Sequence, residues 1–599
     1  MIGNPPYLSV DDTWGQNSPD AAYLKVAFAE IWAGKSDIYY YFIRRALSLL
    51  APHGQLGYIT ARYYLEAFYA SKLRQVVLDE AVIRQVVDFG DYTVFVRVGT
   101  KTCITLLQRE TDGEKRTGNH LLFDRALNKG IHVSSFLQTF RETAHAFRQA
   151  DLDAGSWNLY GERVAQVIQR IDEGTTPLGK LAFVGQGMQT GSNPVFVIDK
   201  STLDRYQIEP ELIRKNIKNQ DITPYNLAFR GLYLIYPEDI QNLDDYPRTK
   251  AYLEKHRKTL EARAAYQRGD CEWWRFTWPL HQEKYNAPKI VTPFIAPKNR
   301  FALDTTTEYV GLTDTYAIFE TENSPDLRYL LALLNSKLLN FRFRYIGKAK
   351  DYRYEYVENG LIKIPIRLAD ETTTQNLVNL SQRMVDLHFI RQTIMDEFTE
   401  VLQATVYTTR DFYGAYTDHS EYRGNSIHRV GTADANVTGT VTGITVTEQA
   451  AHLAIRISEE TKGEIALITL NIPNDDFRRF LLLSIRTELF TNQRKQIWAR
   501  GRLLSGTLSA LQVPVLISKS ATTNIEKIHE LMGEVRQRVV SRASEELTNR
   551  AVQLNDPLAL VAIENEITDV ARRIDEIVYH LYGIRSPEEL QIIEGVLSA

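Results

Sequence analysis

The chain has 599 residues, a formal charge of −4, and apolar and charged fractions of 44% and 24%, as in ordinary folded proteins. Because one core rarely grows to this length, we expect about two to four domains. The charge excludes a uniformly basic protein but allows a local basic face. The only cysteines, Cys103 and Cys271, are too few for a disulfide framework and fit a cytoplasmic protein. No apolar run reaches the roughly 18 residues of a membrane span, so we expect no membrane partner.

The first 110 residues alternate helix and strand patterns. The segment "SDIYYYFIRRALSLL" spaces its apolar residues as an amphipathic helix, with Ser36 as the predicted N-cap. The segments "QLGYIT", "VIRQVVDFG" and "TKTCITLLQ" are predicted strands, and "LRQVVLDEA" is a predicted helix. Strands separated by helices predict a layered α/β sheet. We assign residues 1–110 to the second half of such a sheet and residues 111–155 to a polar connector.

The remaining sequence changes character several times. Short strands among many aromatic residues predict an α+β domain, and apolar residues at helical spacing over 371–402 predict a long amphipathic helix. Alternating Thr, Val and Gly over 432–472 predict a small β module. We therefore divide the rest of the chain into an α+β domain (156–366), a helical arm (367–430), a β-rich insertion with helices (431–520) and a C-terminal helical region (521–599).

The stretch "NPPY" near the start of the chain has a composition suited to activating an aromatic amine. The Asn4 side-chain oxygen and the Pro5 carbonyl can both accept hydrogen bonds from an exocyclic NH2 group, which frees the nitrogen lone pair for attack. Pro5 and Pro6 fix φ near −65° and hold that carbonyl at a set angle. Tyr7 offers a face on which a flipped base can stack. The chemistry favours methyl transfer to N6 of adenine, achieved mostly by positioning. Read alone, the four residues more often indicate an ordinary turn, because Asn-Pro and Pro-Pro are common turn dipeptides.

The surroundings of this tetrad carry a family resemblance. "IGNPPY", "KSDIYYYFIRRALSLLAPHGQLGYIT", "KLRQVVLDEAVIRQVVDFG" and "VFVRVGTKTCITLLQ" occur in order and resemble the catalytic domain of N6-adenine DNA methyltransferases, most closely the single-chain type IIG restriction–modification enzymes. Later segments, including "AFVGQGMQTGSNPVFVI", "LYLIYP", "NAPKIVTPFI" and "LIKIPI", resemble the target-recognition domain of the same enzymes. The overall expectation is a partial methyltransferase α/β sheet followed by an α+β target-recognition domain, long helical arms and a small β insertion.

The resemblance implies roles for individual residues. Asn4, Pro5, Pro6 and Tyr7 would form the catalytic motif, using S-adenosylmethionine as methyl donor and double-stranded DNA as substrate. Asp37, with Tyr39 and Phe42, would help to build the cofactor and target pocket, and Asn4 would also face the cofactor. Phe95 would place a second aromatic ring against the flipped base, although a core aromatic at a strand end is the alternative.

Three stretches of the middle domain are candidates for DNA contact. Gln186 and Gln189 in "FVGQGMQTGSN" could reach a base edge, or the stretch could be a plain turn. Lys215 and Lys218 in "LIRKNIKNQDI" could contact phosphates, or could lie on a solvated helix face. The third stretch, "SKLLNFRFRYIGKAKDYRYEY", interleaves basic and aromatic residues, so that a DNA surface and a snorkelling amphipathic helix are both possible. Its candidate DNA contacts are Arg342, Arg344, Lys348 and Lys350.

The family's cofactor-binding Gly-rich loop and its ribose-binding acidic residue should precede the tetrad, and only three residues precede Asn4. We therefore expect Met1 to be an internal start or a split point. A separately encoded N-terminal half would supply the cofactor motif and a nuclease, and the isolated chain would be inactive. The scattered histidines predict no metal site. A non-catalytic DNA-specificity protein with an idle tetrad is the alternative function, and a scaffold with a chance tetrad is a third.

Overall fold

The computed structural model describes residues 1–90, 94–95, 100–125, 133–155, 157, 159, 162–350, 353–405, 407–411, 428–432, 441–459, 463–495, 512–516, 521–547 and 556–598. The chain divides into two compact units, of which the first combines Met1–Val378 with Ile574–Ala599 and the second is Asn379–Arg573. Of the helices described, none combines the length and the apolar character that a bilayer crossing requires. Both units mix helices with small sheets, which confirms the predicted mixed α/β class.

The first unit begins with a six-stranded sheet in the order β1-β2-β4-β3-β5-β6. Its strands are β1 (Ile2–Gly3), β2 (Gln55–Ala61), β3 (Ala81–Asp88), β4 (Thr102–Arg109), β5 (His120–Arg125) and β6 (His145–Arg148). The helices of this region are α1 (Val10–Trp14), α2 (Pro19–Ala27), α3 (Ile38–Leu49), α4 (Ser71–Glu80), α5 (Gly113–Thr117) and α6 (Val133–Thr143).

The strand directions gather one set of strand ends at a single edge. β1 is parallel to β2, β3 is parallel to β5, and β4 runs antiparallel to both β2 and β3. The carboxyl ends of β1, β2, β3 and β5 therefore all lie at the same edge, which is where ligands bind in open α/β sheets. Separate apolar clusters form around Ile43 and Val77 of the α3–α4 layer and around Phe136 and Phe140 of α6.

Two local predictions are wrong. Residues 111–155 are not only a connector, because β5 and β6 extend the sheet by two strands. β5 has only three apolar residues, of which Leu121 and Phe123 are buried, so the polar sequence around it conceals a short strand. The N-cap of α3 is Asp37 rather than Ser36. Ser36 is buried, and its hydroxyl is 2.5 Å from that of Tyr41, so it is bonded inside the core instead of to the helix terminus.

The rest of the first unit is a mixed region of short elements, as the aromatic-rich composition predicts. Its larger sheets have the orders β17-β10-β13-β9, β16-β14-β18-β8 and β15-β20-β19, and β11–β12 and β7–β21 form pairs. The strands are β7 (Thr176–Pro177), β8 (Phe183–Gln186), β9 (Val197–Asp199), β10 (Ile213–Ile217), β11 (Ile222–Thr223), β12 (Asn226–Leu227), β13 (Leu232–Ile235), β14 (Lys289–Pro293), β15 (Ile295–Ala296), β16 (Ala302–Asp304), β17 (Tyr309–Gly311), β18 (Thr315–Phe319), β19 (Lys348–Lys350), β20 (Arg353–Glu355) and β21 (Pro365–Ile366). The helices are α7 (Glu162–Asp172), α8 (Leu178–Leu181), α9 (Asn193–Phe196), α10 (Lys200–Tyr206), α11 (Pro247–Lys255), α12 (Arg257–Glu261), α13 (Ala264–Gln267), α14 (Gln282–Tyr285), α15 (Leu327–Asn335), α16 (Lys337–Phe343) and α17 (Glu358–Leu361).

The second unit contains long helices and a four-stranded antiparallel sheet in the order β23-β26-β25-β24. A long helix, α18 (Glu371–Gln403), lies where the amphipathic pattern predicts one and begins in the first unit. The other elements from here to the end of the chain are β22 (Tyr407–Asp411), β23 (His428–Thr432), β24 (Val441–Gln449), β25 (His452–Glu459), β26 (Gly463–Asn471), α19 (Asp475–Lys495), β27 (Gln512–Leu516), α20 (Ala521–Glu546), α21 (Leu560–Leu581) and α22 (Pro587–Ser598).

Candidate active site

The tetrad Asn4–Tyr7 leaves the sheet at the carboxyl end of β1, on the edge where the ends of β2, β3 and β5 also lie. β1 runs close to β2, with Gly3 opposite Tyr58. A Cβ added to Gly3 would lie 2.9 Å from the Tyr58 ring, so glycine is required for this close approach. Pro5 is buried, whereas Asn4 is exposed. The tetrad is therefore anchored by its first proline and offers the Asn4 amide to a ligand at the sheet edge.

Tyr7 is held in place by both ends of its side chain. Its hydroxyl donates a hydrogen bond of 3.1 Å to the carbonyl oxygen of Ile59 on β2. Its ring packs edge-on against Tyr39, with the centroids 6.1 Å apart. Burial, with a smaller contribution from Cys103, raises the pKa of Tyr7 to about 12. Tyr7 is therefore a neutral, half-buried ring that the fold holds in place three residues after the exposed Asn4.

The segment after the tetrad is fastened to the start of α3. The Ile38 N–H donates to the Leu8 carbonyl at 2.7 Å, and the Val10 N–H donates to the Ser36 carbonyl at 3.0 Å. This pairing places Asp37 next to the tetrad segment, opposite Ser9. Burial raises the pKa of Asp37 to about 6, against the opposing effect of a hydrogen bond from Tyr40, and nearby Asp12 raises it further. Tyr39 is fully buried beside Tyr7, whereas Phe42 is exposed on α3.

Phe95 lies in the connection between β3 and β4, of which only residues 94 and 95 are described between residues 90 and 100. Val94 packs against an apolar cluster that includes Val87, Phe89 and Phe136. Phe95 itself is half-buried. Because this connection leaves the carboxyl end of β3, it starts from the same sheet edge as Asn4. Its contact with a flipped base stays a prediction.

Sequence reasoning missed a buried ionic cluster at this edge. Asp88, fully buried at the end of β3, accepts hydrogen bonds from Arg62 Nε at 3.0 Å and Arg125 Nε at 2.7 Å. It also accepts one from the Gly90 N–H at 2.9 Å, and Arg62 pairs with Glu66. Burial alone would raise the pKa of Asp88, but the guanidinium groups of Arg125 and Arg62 hold it below its ordinary value. The available signal was an acidic residue directly after a pair of valines at the end of a mostly apolar strand.

The cluster joins three strand ends that share the sheet edge with the tetrad. Arg62 directly follows β2, Asp88 ends β3 and Arg125 ends β5. Cys103 on β4 pairs with Asp88 of β3 on one side and with Thr60 of β2 on the other. The cluster therefore holds together the ends of β2, β3 and β5 at the sheet edge that carries the tetrad. Its charges are bonded to one another. In the part of the chain that the structure describes, no group of three or more His, Cys, Asp or Glu residues is placed to hold a metal ion.

The first two candidate DNA-contact stretches lie in or beside the short sheets. The Gln186 side chain donates to the Thr313 carbonyl at 3.1 Å, and the Gln189 backbone pairs with that of Trp278. "LIRKNI" is a strand and not a helix, since it contains β10. On that strand the Lys215 ammonium is 2.5 Å from Glu308, between the rings of Phe229 and Tyr309. The backbone N–H of Lys218, at the end of the stretch, donates to Asp221.

Most charge in the third stretch is engaged within the protein. Arg342 forms two hydrogen bonds of 2.7 Å with Asp172. Arg344 donates to the carbonyl oxygens of Val596 and Leu597 in α22. Lys348 pairs with Glu355 at 3.0 Å, although most of its side chain is exposed, and Lys350 is exposed. Arg342 and Arg344 are therefore structural ties in this fold, and DNA contact by the four residues stays a prediction.

Two family models match the chain. Residues 1–95 match the Eco57I restriction-modification methylase, and residues 214–366 match the TaqI-like C-terminal specificity domain. These matches confirm the family resemblance inferred from the sequence. They also place the tetrad and the ionic residues Arg62 and Asp88 within the methylase segment.

The chain is also similar to curated type II methyltransferases. M.BstVI of Geobacillus stearothermophilus is 23% identical over 68% of this chain and 72% of its own length. M.PaeR7I of Pseudomonas aeruginosa is 27% identical over 56% of this chain and 58% of its own length. M.XhoI of Xanthomonas vasicola is 26% identical over 56% of this chain and 62% of its own length. The chain thus spans less than two thirds of the latter two relatives.

Among solved structures, the type IIL restriction-modification enzyme MmeI in complex with DNA matches with a TM-score of 0.46 and 12% identity, over 65% of this chain and 49% of that chain. A similarity of that size is too low to support an argument about this chain.

Proposed function

We propose that this chain methylates N6 of a flipped adenine in double-stranded DNA, because residues 1–95 match the Eco57I restriction-modification methylase and residues 214–366 match the TaqI-like C-terminal specificity domain. The observation that carries the proposal is the geometry of the tetrad. The exposed Asn4 amide directly follows β1 at the sheet edge, and buried Pro5 and the anchored ring of Tyr7 come next in the same loop. This combination of an acceptor and a ring suits an aromatic amine better than a hydroxyl or a carboxylate.

Each residue of the tetrad has a separate task in the proposed reaction. The Asn4 side-chain oxygen and the Pro5 carbonyl accept hydrogen bonds from the adenine amino group, which directs its lone pair toward the methyl donor. Pro6 keeps the turn at a fixed angle. Tyr7 gives the extruded base a neutral aromatic face for stacking. Since no strong base is needed, most of the rate enhancement comes from orienting the amine.

S-adenosylmethionine, when bound, supplies an electrophilic methyl group. The residues at the tetrad suit part of such a molecule, because the half-buried Asp37 carboxyl can accept hydrogen bonds and, when charged, favours a nearby cation. The exposed Asn4 amide can both donate and accept hydrogen bonds. We propose that Asn4 and Asp37 contact the cofactor, and that Phe95 lies against the target base.

The free edge of β1 suggests where a further cofactor-binding segment would attach. No described strand pairs with the outer edge of β1, and Ile2 on that strand is 94% exposed. Exposed strand edges readily accept another strand. We propose that a cofactor-binding polypeptide pairs here, in the same or a separate chain, and that methylation depends on it.

The test compares the wild-type chain with Asn4→Ala, each isolated with any associated polypeptide from the cells that encode it. Each is incubated with S-adenosylmethionine and DNA grown in a methylation-free host, and N6-methyladenine is measured by mass spectrometry. We expect methylation by the wild type and a loss of at least a hundredfold in Asn4→Ala. Asn17→Ala removes an exposed amide from the same segment and should be fully active.

Two results would contradict the proposal. Undiminished methylation by Asn4→Ala would remove the tetrad from the reaction. Sequence-specific DNA binding by the wild type, with no methylation in any preparation, would favour a non-catalytic specificity protein instead.

A further inference from the structure

A groove of about 950 Å³ crosses the mixed region of the first unit. Its walls are formed by α10, the start of β10 and the turn between β16 and β17, with Arg248 of α11 and Asn286 after α14 at its border. The groove overlaps the specificity-domain match but includes α10, which lies before residue 214. Of the residues proposed from the sequence to touch DNA, it contains Lys215 and none of the others.

Two residues on the groove walls adopt left-handed backbone conformations that are rare for residues other than glycine. Gln207, the residue directly after α10, has φ of 48°, and Thr307, in the turn after β16, has φ of 61°. Such conformations cost free energy and persist where the surrounding structure enforces them, often at binding sites. They direct an exposed amide and a hydroxyl from opposite elements toward one groove.

Buried carboxylates hold both sides of the groove. Under one side, Asp304 accepts hydrogen bonds from the Thr306 and Thr307 N–H groups at 2.9 and 3.1 Å. Its other oxygen is 2.6 Å from the Lys289 ammonium, and both side chains are fully buried. Asp304 therefore fixes the turn that carries Thr307.

Glu209 has the corresponding role on the other side. This buried carboxylate accepts hydrogen bonds from the backbone N–H groups of Arg248 and Thr249 at 3.0 and 2.8 Å, and one from the Thr249 hydroxyl at 2.5 Å. Burial by itself would raise the pKa of Glu209, but the bonds from Thr249 and Arg248 lower it overall. The charged form therefore holds the start of α11, and with it the base of the Arg248 side chain. A groove with both walls braced in this way is preorganised for a ligand.

The lining of the groove carries more positive than negative charge. Four cationic side chains (Lys200, Arg214, Lys215 and Arg248) face two carboxylates (Asp204 and Glu308), a difference of two charges. All four cations are paired with carboxylates. Lys200 lies 2.5 Å from Asp204 and Lys215 lies 2.5 Å from Glu308, both within the lining. Just outside it, Asp239 lies 2.9 Å from Arg214 and Glu209 lies 3.4 Å from Arg248. The side chains of Lys200 and Arg248 remain 64% and 53% exposed. Walls with both signs of charge favour one register of a polyanion over the others.

We propose that this groove receives a sugar–phosphate ridge of the target duplex, a step that rests on the proposed function. Lys200 and Arg248 contact phosphates, and the exposed amides of Gln207 and Asn286 reach base edges beside the ridge. A concave surface complements the convex phosphate ridge, and amide side chains pair with adenine edges through two hydrogen bonds. Phosphate contacts set the position of the duplex, and the two amides contribute to the choice of sequence.

The test measures binding of the full chain to a pool of duplexes with a randomised central segment, followed by sequencing of the bound fraction. Lys200→Ala/Arg248→Ala should weaken binding to all duplexes at least tenfold. It should also lower the slope of log affinity against log salt concentration by about two, or one per lost phosphate contact. Gln207→Ala/Asn286→Ala should leave that slope unchanged and reduce discrimination about tenfold or more at one or two base positions.

Matched controls come from the same region outside the groove. Lys250→Ala/Arg268→Ala removes two cations that resemble the first pair, since Lys250 lies 2.5 Å from Asp244 and the side chain of Arg268 is 57% exposed. Gln241→Ala removes an exposed amide. These variants should bind and discriminate as the wild type does. Melting temperatures within 2 °C of wild type, a change of order 1 kcal/mol or less, will show that all variants are folded.

The outcomes separate this inference from the proposed function. Sequence-selective binding by the wild type that neither groove variant alters would overturn the groove assignment and leave the proposed function standing. A wild-type chain that binds no duplex at low salt would contradict both. Equal losses in the groove and control variants would also reject the groove, because the effect would then be one of overall charge.

Discussion

The buried carboxylate of Asp88 offers the sharpest test of how the methylase segment holds its strand ends together. Asp88→Ala removes the acceptor of hydrogen bonds from Arg62, Arg125 and the Gly90 N–H. The Arg62 side chain is only 6% exposed and would keep Glu66 as its remaining acidic partner. Removing one member of a buried ion pair costs about 3–5 kcal/mol, because the other charge stays buried. We expect the sheet to lose about that amount.

The other members of the cluster should follow a graded order. Arg125→Ala should cost less, about 1–2 kcal/mol, since the Arg125 side chain is 30% exposed and water replaces part of the lost interaction. Arg84→Ala is the matched control. Arg84 lies on the same strand as Asp88, but its exposed guanidinium bonds only to Gln108 among the contacts described, so we expect a change below about 0.5 kcal/mol.

Native-state hydrogen exchange is the suitable assay, because a chain with two units need not unfold in one transition. The amides of β2 and β3 report opening of the sheet, and their exchange rates give the local free energy of opening. A loss below about 1 kcal/mol in Asp88→Ala, or a loss in Arg84→Ala as large as that in Asp88→Ala, would refute the view that this cluster braces the strand ends.

Further predictions concern pH and close packing. Burial raises the pKa of Asp37 to about 6, so the charged carboxylate weakens the fold as pH rises through that value. Asp37→Asn should therefore stabilise α3 by up to about 3 kcal/mol at pH 8 and by much less near pH 4, as measured by hydrogen exchange. Burial, with Arg391, lowers the pKa of His388 to about 3, so the neutral form supports the second unit above pH 6.5. Lowering the pH from 8 to 5 should cost α18 about 2 kcal/mol, as measured by hydrogen exchange, and His388→Gln should remove that loss. Gly3→Ala should destabilise the β1–β2 pair by about 1–3 kcal/mol, because the added Cβ meets the Tyr58 ring. The same substitution in a Tyr58→Leu background should cost less, and hydrogen exchange measures the two costs.

The sequence was most informative where periodicity and burial coincide. β2, β3, β4 and α4 lie where apolar patterns predicted them, since each buries an apolar face in one core. β6 escaped notice because it is a short edge strand with mostly exposed residues, and β5 because only two of its six residues are buried and a polar stretch surrounds it. Ser36 has the composition of an N-cap, but tertiary contact with Tyr41 takes its hydroxyl.

Electrostatic partners were harder to predict than elements. The basic stretch around Arg342 has the composition of a DNA surface, yet Asp172, distant in sequence, binds that guanidinium. Asp88 draws its partners from two other strands, and no local pattern indicates them. In the "CEWWRFTW" segment Trp274 is buried whereas Trp278 is 48% exposed, so composition alone does not separate core from surface tryptophans.

The most direct test of the central claim is single-molecule sequencing of genomic DNA from the cells that encode this chain, with the wild-type gene and with Asn4→Ala at the same locus. If the Asn4–Tyr7 loop holds the target amine, the wild-type genome contains a sequence motif methylated at adenine N6 that is unmethylated in the Asn4→Ala genome. Methylation of every adenine motif to the same extent in both genomes, or a change at cytosine instead, would contradict the account.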